Sequence, residues 1–361
     1  MQRKSDSSLG RNRTVVLGTE GAHRFQQALK QYETEPRTRD YFHPDKVASE
    51  LGENVKVTIG LCVKNIESTI EHTMKSILEQ DFPHLLMELI VVDGQSEDNT
   101  LRIIREHVLK GDLESRVFSE NMGLGFARQI VVDNAIGKYV VWVDGDVVLR
   151  QDYVKRQVEF MDRNPKVGIG RARYGIWTES GPVAYLENIP FVVESMKDQK
   201  QVPLGICGTE GAIYRIAAIR EAKGFDINIK GAAEDVDLAR RILAAGWSAS
   251  ITEAMFYELC RDSWKALWVE YAWWGYGGHF SFHKNRDKSM PLKMSPLGGF
   301  LAGCLRFPAA YKLTRRKLLL LLPFHYAFKR LAFCYGFTKA HAEGYGHRTV
   351  ARAMIGNKVR R

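Results

Sequence analysis

Apolar runs that stop on an aspartate, separated by stretches of helical spacing, constrain this chain more than any other feature. Val55–Val63, Met87–Val92, Arg116–Ser119 and Tyr139–Val143 read as strands, and Asp93 and Asp144 directly follow two of them. Between them, Ser68–Gln80 repeats Ile70, Met74, Ile77 and Leu78 at helical intervals, and Asn99–Leu109 and Gly123–Ala135 continue the alternation. Strand–helix–strand repeats of this length build βαβ units and a mainly parallel sheet, so the expected class is α/β. Ligands of such sheets bind beyond the carboxyl ends of the strands, which is where Asp93 and Asp144 fall. After Asp152 the pattern loosens into an α+β half, with helices near Ala217–Ala222 and over Asp235–Ala245.

Charge divides the chain differently. Residues Lys288–Arg361 hold 15 Lys and Arg against one acidic residue, Glu343, a local net of +14. The whole chain has 52 Lys and Arg and 42 Asp and Glu, which leaves 37 basic and 41 acidic residues elsewhere, a net of −4. A basic surface confined to one end addresses an anionic partner, membrane lipid or nucleic acid. Just upstream, Trp264, Trp268, Tyr271, Trp273, Trp274 and Tyr276 crowd together with Arg261 and Lys265. They form either a packed aromatic helix or an amphipathic helix at a bilayer interface, where Trp and Tyr settle. Leu297–Tyr311 and Leu318–Phe337 add apolar faces interrupted by Arg306, Lys312, Arg315, Arg316, Lys317, Lys329 and Arg330. Apolar faces of this extent favour a lipid surface over nucleic acid. Leu318–Phe337 does not read as a span, because Pro323, His325 and Lys329-Arg330 break the run of about 20 apolar residues that crossing requires.

The expected organisation is a polar tail with a short helix at Ala22–Tyr32 (residues 1–54), an α/β domain (residues 55–260) and a basic, aromatic, helical region (residues 261–361) lying on a membrane. Met1–Thr19 lacks the apolar segment of a signal peptide, and Cys62, Cys207, Cys260, Cys304 and Cys334 show no paired spacing. Reduced thiols and a peripheral place on the cytoplasmic face of the cell membrane are therefore expected.

Five groups of residues are candidates for chemistry. Asp144-Gly-Asp146 puts two carboxylates on a turn leaving a strand, where they can hold Mg²⁺ or Mn²⁺ together with a diphosphate. Asp93, at the end of Leu89-Ile-Val-Val-Asp93, can accept a hydrogen bond from a base-ring N–H, whereas Ser96 and Asp98 suit the cap of the following helix. Asn121-x-Gly-x-Gly-x-Ala-Arg128 brings two glycines and an arginine to a helix start, an incomplete match to a phosphate cradle. Glu234-Asp235-Val-Asp237 opens a helix with three acids, more than the helix dipole alone calls for. His279 and His283, four residues apart on one helix, are either a structural pair or metal ligands.

Taken in order, Val57-Thr-Ile-Gly-Leu-Cys-Val-Lys-Asn65, Leu89–Asp93, Asn121–Arg128, Asp144–Asp146, Gly208-Thr-Glu-Gly-Ala-Ile-Tyr-Arg215, Gly224-Phe and Glu234–Leu238 resemble family 2 of the nucleotide-diphosphate-sugar glycosyltransferases. The resemblance covers roughly Lys56 to Tyr257 and implies a GT-A fold, two abutting Rossmann-like halves around one sheet. It implies that Cys62, Val63, Asn65, Asp93, Arg128 and Asp144 bind a UDP- or GDP-linked sugar, that Asp146 with Asp144 holds the metal, and that Asp235 is the catalytic base, with Asp237 the other choice. One carboxylate acting through the acceptor hydroxyl gives direct displacement with inversion at the anomeric carbon. Two departures stand out: Cys62-Val-Lys-Asn-Ile66 replaces the family's usual Pro-x-Tyr-Asn-Glu, and Asp93-Gly94 replaces a doubled aspartate. A base is needed for a hydroxyl acceptor but not for a lipid phosphate, so the acidic cluster favours a lipid-linked glycan. The alternatives are a polyprenyl-phosphate glycosyltransferase and a non-catalytic nucleotide-sugar-binding protein.

Overall fold

The computed structural model describes residues 55–196, 207–229, 231–285 and 295–346; the helix expected at Ala22–Tyr32 lies outside them. The first half is a run of βα units. Strand β1 (Val57–Val63) is followed by α1 (Ile70–Leu78), β2 (Met87–Asp93) by α2 (Thr100–Lys110), β3 (Glu114–Ser119) by α3 (Leu124–Asn134), and β4 (Tyr139–Asp144) by the short β5 (Val147–Leu149). β1, β2 and β4 are buried almost throughout, as apolar strands covered on both faces must be.

The second half contributes α4 (Tyr153–Arg163), β6 (Val167–Tyr174), α5 (Pro182–Ser195), β7 (Ala212–Arg215), α6 (Ile216–Glu221), α7 (Glu234–Ala244) and β8 (Ser248–Glu258). The strands of the described residues join one eight-stranded sheet in the order β3-β2-β1-β4-β7-β6-β8-β5. The β3-β2-β1-β4 half is wholly parallel, and β7 runs antiparallel to both of its neighbours, β4 and β6. One core lies on each face of the sheet: Ile59, Leu61, Met74 and Val141 on one, Val131, Trp142, Tyr214 and Leu238 on the other.

Among the described residues, three C-terminal α-helices follow: α8 (Trp264–Asn285), α9 (Pro296–Thr314) and α10 (Leu322–Glu343). Their backbones approach closely because glycines face backbone. A Cβ on Gly275 would stand 2.0 Å from the Phe333 carbonyl oxygen, and one on Gly336 would stand 1.8 Å from that of Ala272. The aromatic stretch serves packing in large part, with Trp264 and Trp268 against Phe328 and Tyr271 against Trp274. Two polar residues expected to break the α10 surface turn inward instead. Lys329 (3% exposed) and His325 (0%) both meet the buried carboxylate of Glu187 on α5, at 2.7 and 2.6 Å. A buried ammonium needs a paired anion, and Glu187 supplies it. Among the described residues, no helix is long and apolar enough to cross a membrane.

Candidate active site

Register sets the geometry. β1 pairs Val63 with Asp93 on one side and Cys62 with Asp144 on the other, so the two aspartates flank the carboxyl end of the same strand. The turn after Asp144 is fixed through its carbonyl: Gly145 O accepts from the hydroxyls of Thr69 (2.8 Å) and Thr73 (3.0 Å). A Cβ at Gly145 would lie 2.7 Å from Ile66 Cγ2, so glycine is required between the two carboxylates.

On the β2 side, Asp93 is 2% exposed and accepts from Ser96, from its backbone N–H at 3.1 Å and its hydroxyl at 2.6 Å. Asn65, exposed and left-handed (φ 49°), donates its backbone N–H to Ser96 Oγ (2.9 Å) and accepts from Glu97 N–H (2.8 Å). Cys62 and Val63 are buried beneath this junction, and burial pushes the Cys62 thiol well up. Of the expected nucleotide contacts here, only Asn65 is presented on the surface. Asp98 accepts from Thr100 N–H at 3.0 Å, but the N-cap position of α2 is Asn99, one residue later than the cap expected.

Arg128 stands behind Asp144. Its guanidinium, 5% exposed, ion-pairs with Glu234 and, at 3.1 Å, with Asp144. Burial alone would depress its pKa, but the carboxylates of Glu234 and Asp144 outweigh that and keep it charged. The expected diphosphate contact is thus committed inside the protein, where it orients Asp144. The glycines before it have a similar internal role. Glu120 accepts from Met122 N–H (2.5 Å) and Gly123 N–H (2.9 Å), while Gly125 lets the carbonyls of Asp226 and Ile229 approach. The start of α3 is therefore closed by the protein itself and is no open phosphate cradle.

Asp146, with its side chain 17% exposed, pairs with Arg261 at 3.1 Å. Burial raises its pKa, Arg261 opposes the rise, and Asp144 adds to it. Glu210 accepts from Tyr174 O–H (2.7 Å), and Arg171 donates to the same phenol oxygen (2.5 Å). Burial pushes Glu210 up to about 7, against Arg171 and reinforced by Asp144 and Asp146. Glu258 is raised well above its ordinary value by burial and then by Glu210 and Asp146, and Glu270 is raised to about 8. Carboxylates outnumber guanidiniums in this region, and all of them are hard oxygen donors. Asp144 and Asp146 are oxygen donors of the kind Mg²⁺ or Mn²⁺ favours, and a cation held by them would relieve the repulsion that raises Asp146 and Glu210.

The surroundings of the two candidate bases on α7 differ. Asp237 is 2% exposed and paired with Arg241 (2.9 Å) and Lys284 (2.7 Å). Asp235 is partly exposed and lies against the loop carrying Glu210: its Oδ2 accepts from Thr209 N–H at 3.4 Å, and a Cβ on Gly208 would come within 2.9 Å of it. The residue before α7, Ala233, holds a left-handed φ of 84°. His279 and His283 do meet on α8, yet the third ligand atom near them belongs to His341 and not to Asp144 or Asp146. Glu210, Arg261, Glu258 and Glu270 were not singled out as site residues from the sequence. Glu210 alone had a signal, its place in Gly208-Thr-Glu-Gly.

Residues 58–222 match the family model described as Glycosyl transferase family 2. The chain is 35% identical over 98 residues to TuaG of Bacillus subtilis, a protein named for teichuronic acid biosynthesis, covering 27% of this chain and 38% of that one. It is 23% identical over 247 residues to the poly-beta-1,6-N-acetyl-D-glucosamine synthase of Staphylococcus aureus, covering 67% of this chain and 59% of that one. The chain thus spans less than two thirds of the length of these relatives. Among solved structures, a mannosyltransferase from Pyrobaculum calidifontis in complex with GDP-Man and Mn²⁺ superposes with a TM-score of 0.53 at 17% identity, over 88% of this chain and 94% of that one. That likeness establishes the GT-A type of fold.

Proposed function

Since residues 58–222 match the Glycosyl transferase family 2 model, we propose that this chain transfers a sugar from a nucleotide-diphosphate donor to a hydroxyl of a glycan acceptor, with inversion and with a divalent cation. The observation that carries this reading is the acidic excess around Asp144, Asp146 and Glu210 beyond the carboxyl ends of the parallel strands. A cation bound there supplies Lewis-acid neutralisation of the leaving diphosphate. Asp144, held by Arg128, and the Asn65–Ser96 turn, held by Asp93, orient the donor. Asp235 takes the proton of the acceptor hydroxyl as the new glycosidic C–O bond forms and the sugar–phosphate C–O bond breaks. The donor is UDP- or GDP-linked, in keeping with the GDP-Man held by the mannosyltransferase of like fold.

A lipid-linked glycan is the acceptor that fits the rest of the molecule. Leu297, Leu301 and Leu305 are 71%, 55% and 81% exposed at four-residue spacing along α9, and Phe324 and Leu331 are exposed on α10. Lys312, Arg315, Arg316 and Lys317 are exposed at the α9–α10 elbow. Exposed leucines beside clustered cations suit an anionic bilayer surface, contacted without crossing. The catalytic reading is tested by calorimetric titration of UDP and GDP with and without Mn²⁺. Asp146→Ala should abolish the metal-dependent part of binding while the fold persists; undiminished metal-dependent affinity would remove Asp146 from the metal site.

A further inference from the structure

We propose that His279, His283 and His341 form a second metal site, selective for Zn²⁺ over Mg²⁺ or Mn²⁺, that ties α8 to α10. His279 is fully buried, and its Nε2 lies 3.2 Å from His283 Nε2 and 3.2 Å from His341 Nδ1. One ligand atom from each ring lies within 4.8 Å of the other two. A neutral imidazole nitrogen carries either one N–H or one in-plane lone pair, so it makes one good hydrogen bond. Here a single nitrogen faces two others at hydrogen-bond distance, an arrangement hydrogen bonding serves badly. A metal ion serves it well. Zn–N bonds of about 2.0–2.1 Å in tetrahedral geometry hold neighbouring nitrogens about 3.3 Å apart.

The donor set also discriminates. Three imidazoles suit Zn²⁺ and its transition-metal neighbours, whereas the oxygen donors at Asp144 and Asp146 suit Mg²⁺ and Mn²⁺. The helices are preset for the bridge. α8 and α10 meet backbone to backbone at Gly275 and Gly336, and the Phe337 ring packs on His279 at 4.7 Å between centroids, giving the site an apolar wall. Two ligands one turn apart on α8 and a third from α10 make a cross-link between elements far apart in sequence. This site stands independently of the catalytic reading.

Co²⁺ is the probe, because its tetrahedral complexes absorb strongly in the visible. Full-length protein freed of any purification tag should take up about one Co²⁺ per chain, with a visible band displaced by Zn²⁺ and untouched by Mg²⁺ or by Asp146→Ala. His341→Gln, at an exposed ligand and therefore compatible with folding, should lose the band and the rise in Tm that Zn²⁺ gives the wild type; His283→Gln should do the same. Retention of the wild-type band and Zn²⁺-dependent Tm rise in both variants would overturn the site, as would absence of Co²⁺ uptake by the wild type.

Discussion

Two clusters of buried charge organise this molecule, and they differ in balance. Under α5, Glu187 accepts from Tyr271, His325 and Lys329 at 2.6–2.7 Å. Burial alone would raise its pKa, yet Lys329 and His325 draw it down to about 2. Beyond the strand ends the account does not close: Asp146, Glu210 and Glu258 are all pushed upward despite Arg171 and Arg261. The first arrangement is complete in the protein alone and knits α5, α8 and α10 together. The second is left short of positive charge, which is the condition of a site that receives a cation.

The comparison breaks most visibly in rate. Asp235→Asn should lower sugar transfer by about 10²–10⁴-fold, the usual worth of a positioned base, with donor affinity and Tm nearly unchanged. A loss of that size from Asp237→Asn alone would transfer the role to the residue paired with Arg241 and Lys284. Stability is the complementary readout. Glu187→Ala leaves Lys329 buried without its anion and should cost about 3–5 kcal/mol in denaturant unfolding, with the turnover of the remaining folded protein preserved. Unchanged unfolding would mean that water replaces Glu187 and that the cluster is not structural.

The two clusters should also respond to pH with opposite sign. The depressed Glu187 contributes stability that is present above its unfolded value of 4.5 and lost as pH falls toward 2. The raised Glu210 does the reverse, so metal-free protein should lose stability as pH rises from 4.5 through about 7. Each limb is worth up to about 3 kcal/mol by linkage. Glu210→Gln should shrink the upper limb and leave the lower one unchanged, the remainder coming from Glu258 and Glu270; an upper limb of undiminished size would remove Glu210 from it. The smallest effect concerns the basic elbow. Lys312→Gln should weaken binding to anionic vesicles by about 1 kcal/mol, roughly fivefold, and leave binding to neutral vesicles unchanged. Equal loss on both vesicle types would assign Lys312 to folding rather than to lipid.

The first half of the fold was legible because β1, β2 and β4 are apolar runs with helical stretches between them. β6 was not, since Gly168 and Gly170 interrupt it; a Cβ on Gly170 would lie 2.7 Å from Ile213 Cγ2, so the glycine answers to a neighbouring strand the sequence does not announce. The site divides in the same way. Asp144 and Asp146 are visible from their place after a strand, whereas Arg261 has meaning only once β8 and α8 bring it to Asp146. Lys329 was misread for a related reason: its partner Glu187 lies 142 residues earlier, and a local pattern assigns its charge to the surface.

The ion pair between Arg128 on α3 and Glu234 at the start of α7 bears on how such a chain can diverge. Losing Arg128 leaves Glu234, which burial pushes up to about 8, buried without its partner, whereas losing Glu234 leaves Arg128 paired with Asp144 alone; replacing both with well-packed apolar residues can be nearly neutral for stability. The two positions, 106 residues apart, should therefore covary among related chains, with Glu234 the one more readily replaced alone because Arg128 keeps Asp144. Any lineage that exchanged them for an apolar pair would keep its fold while releasing Asp144 from the guanidinium that now orients it.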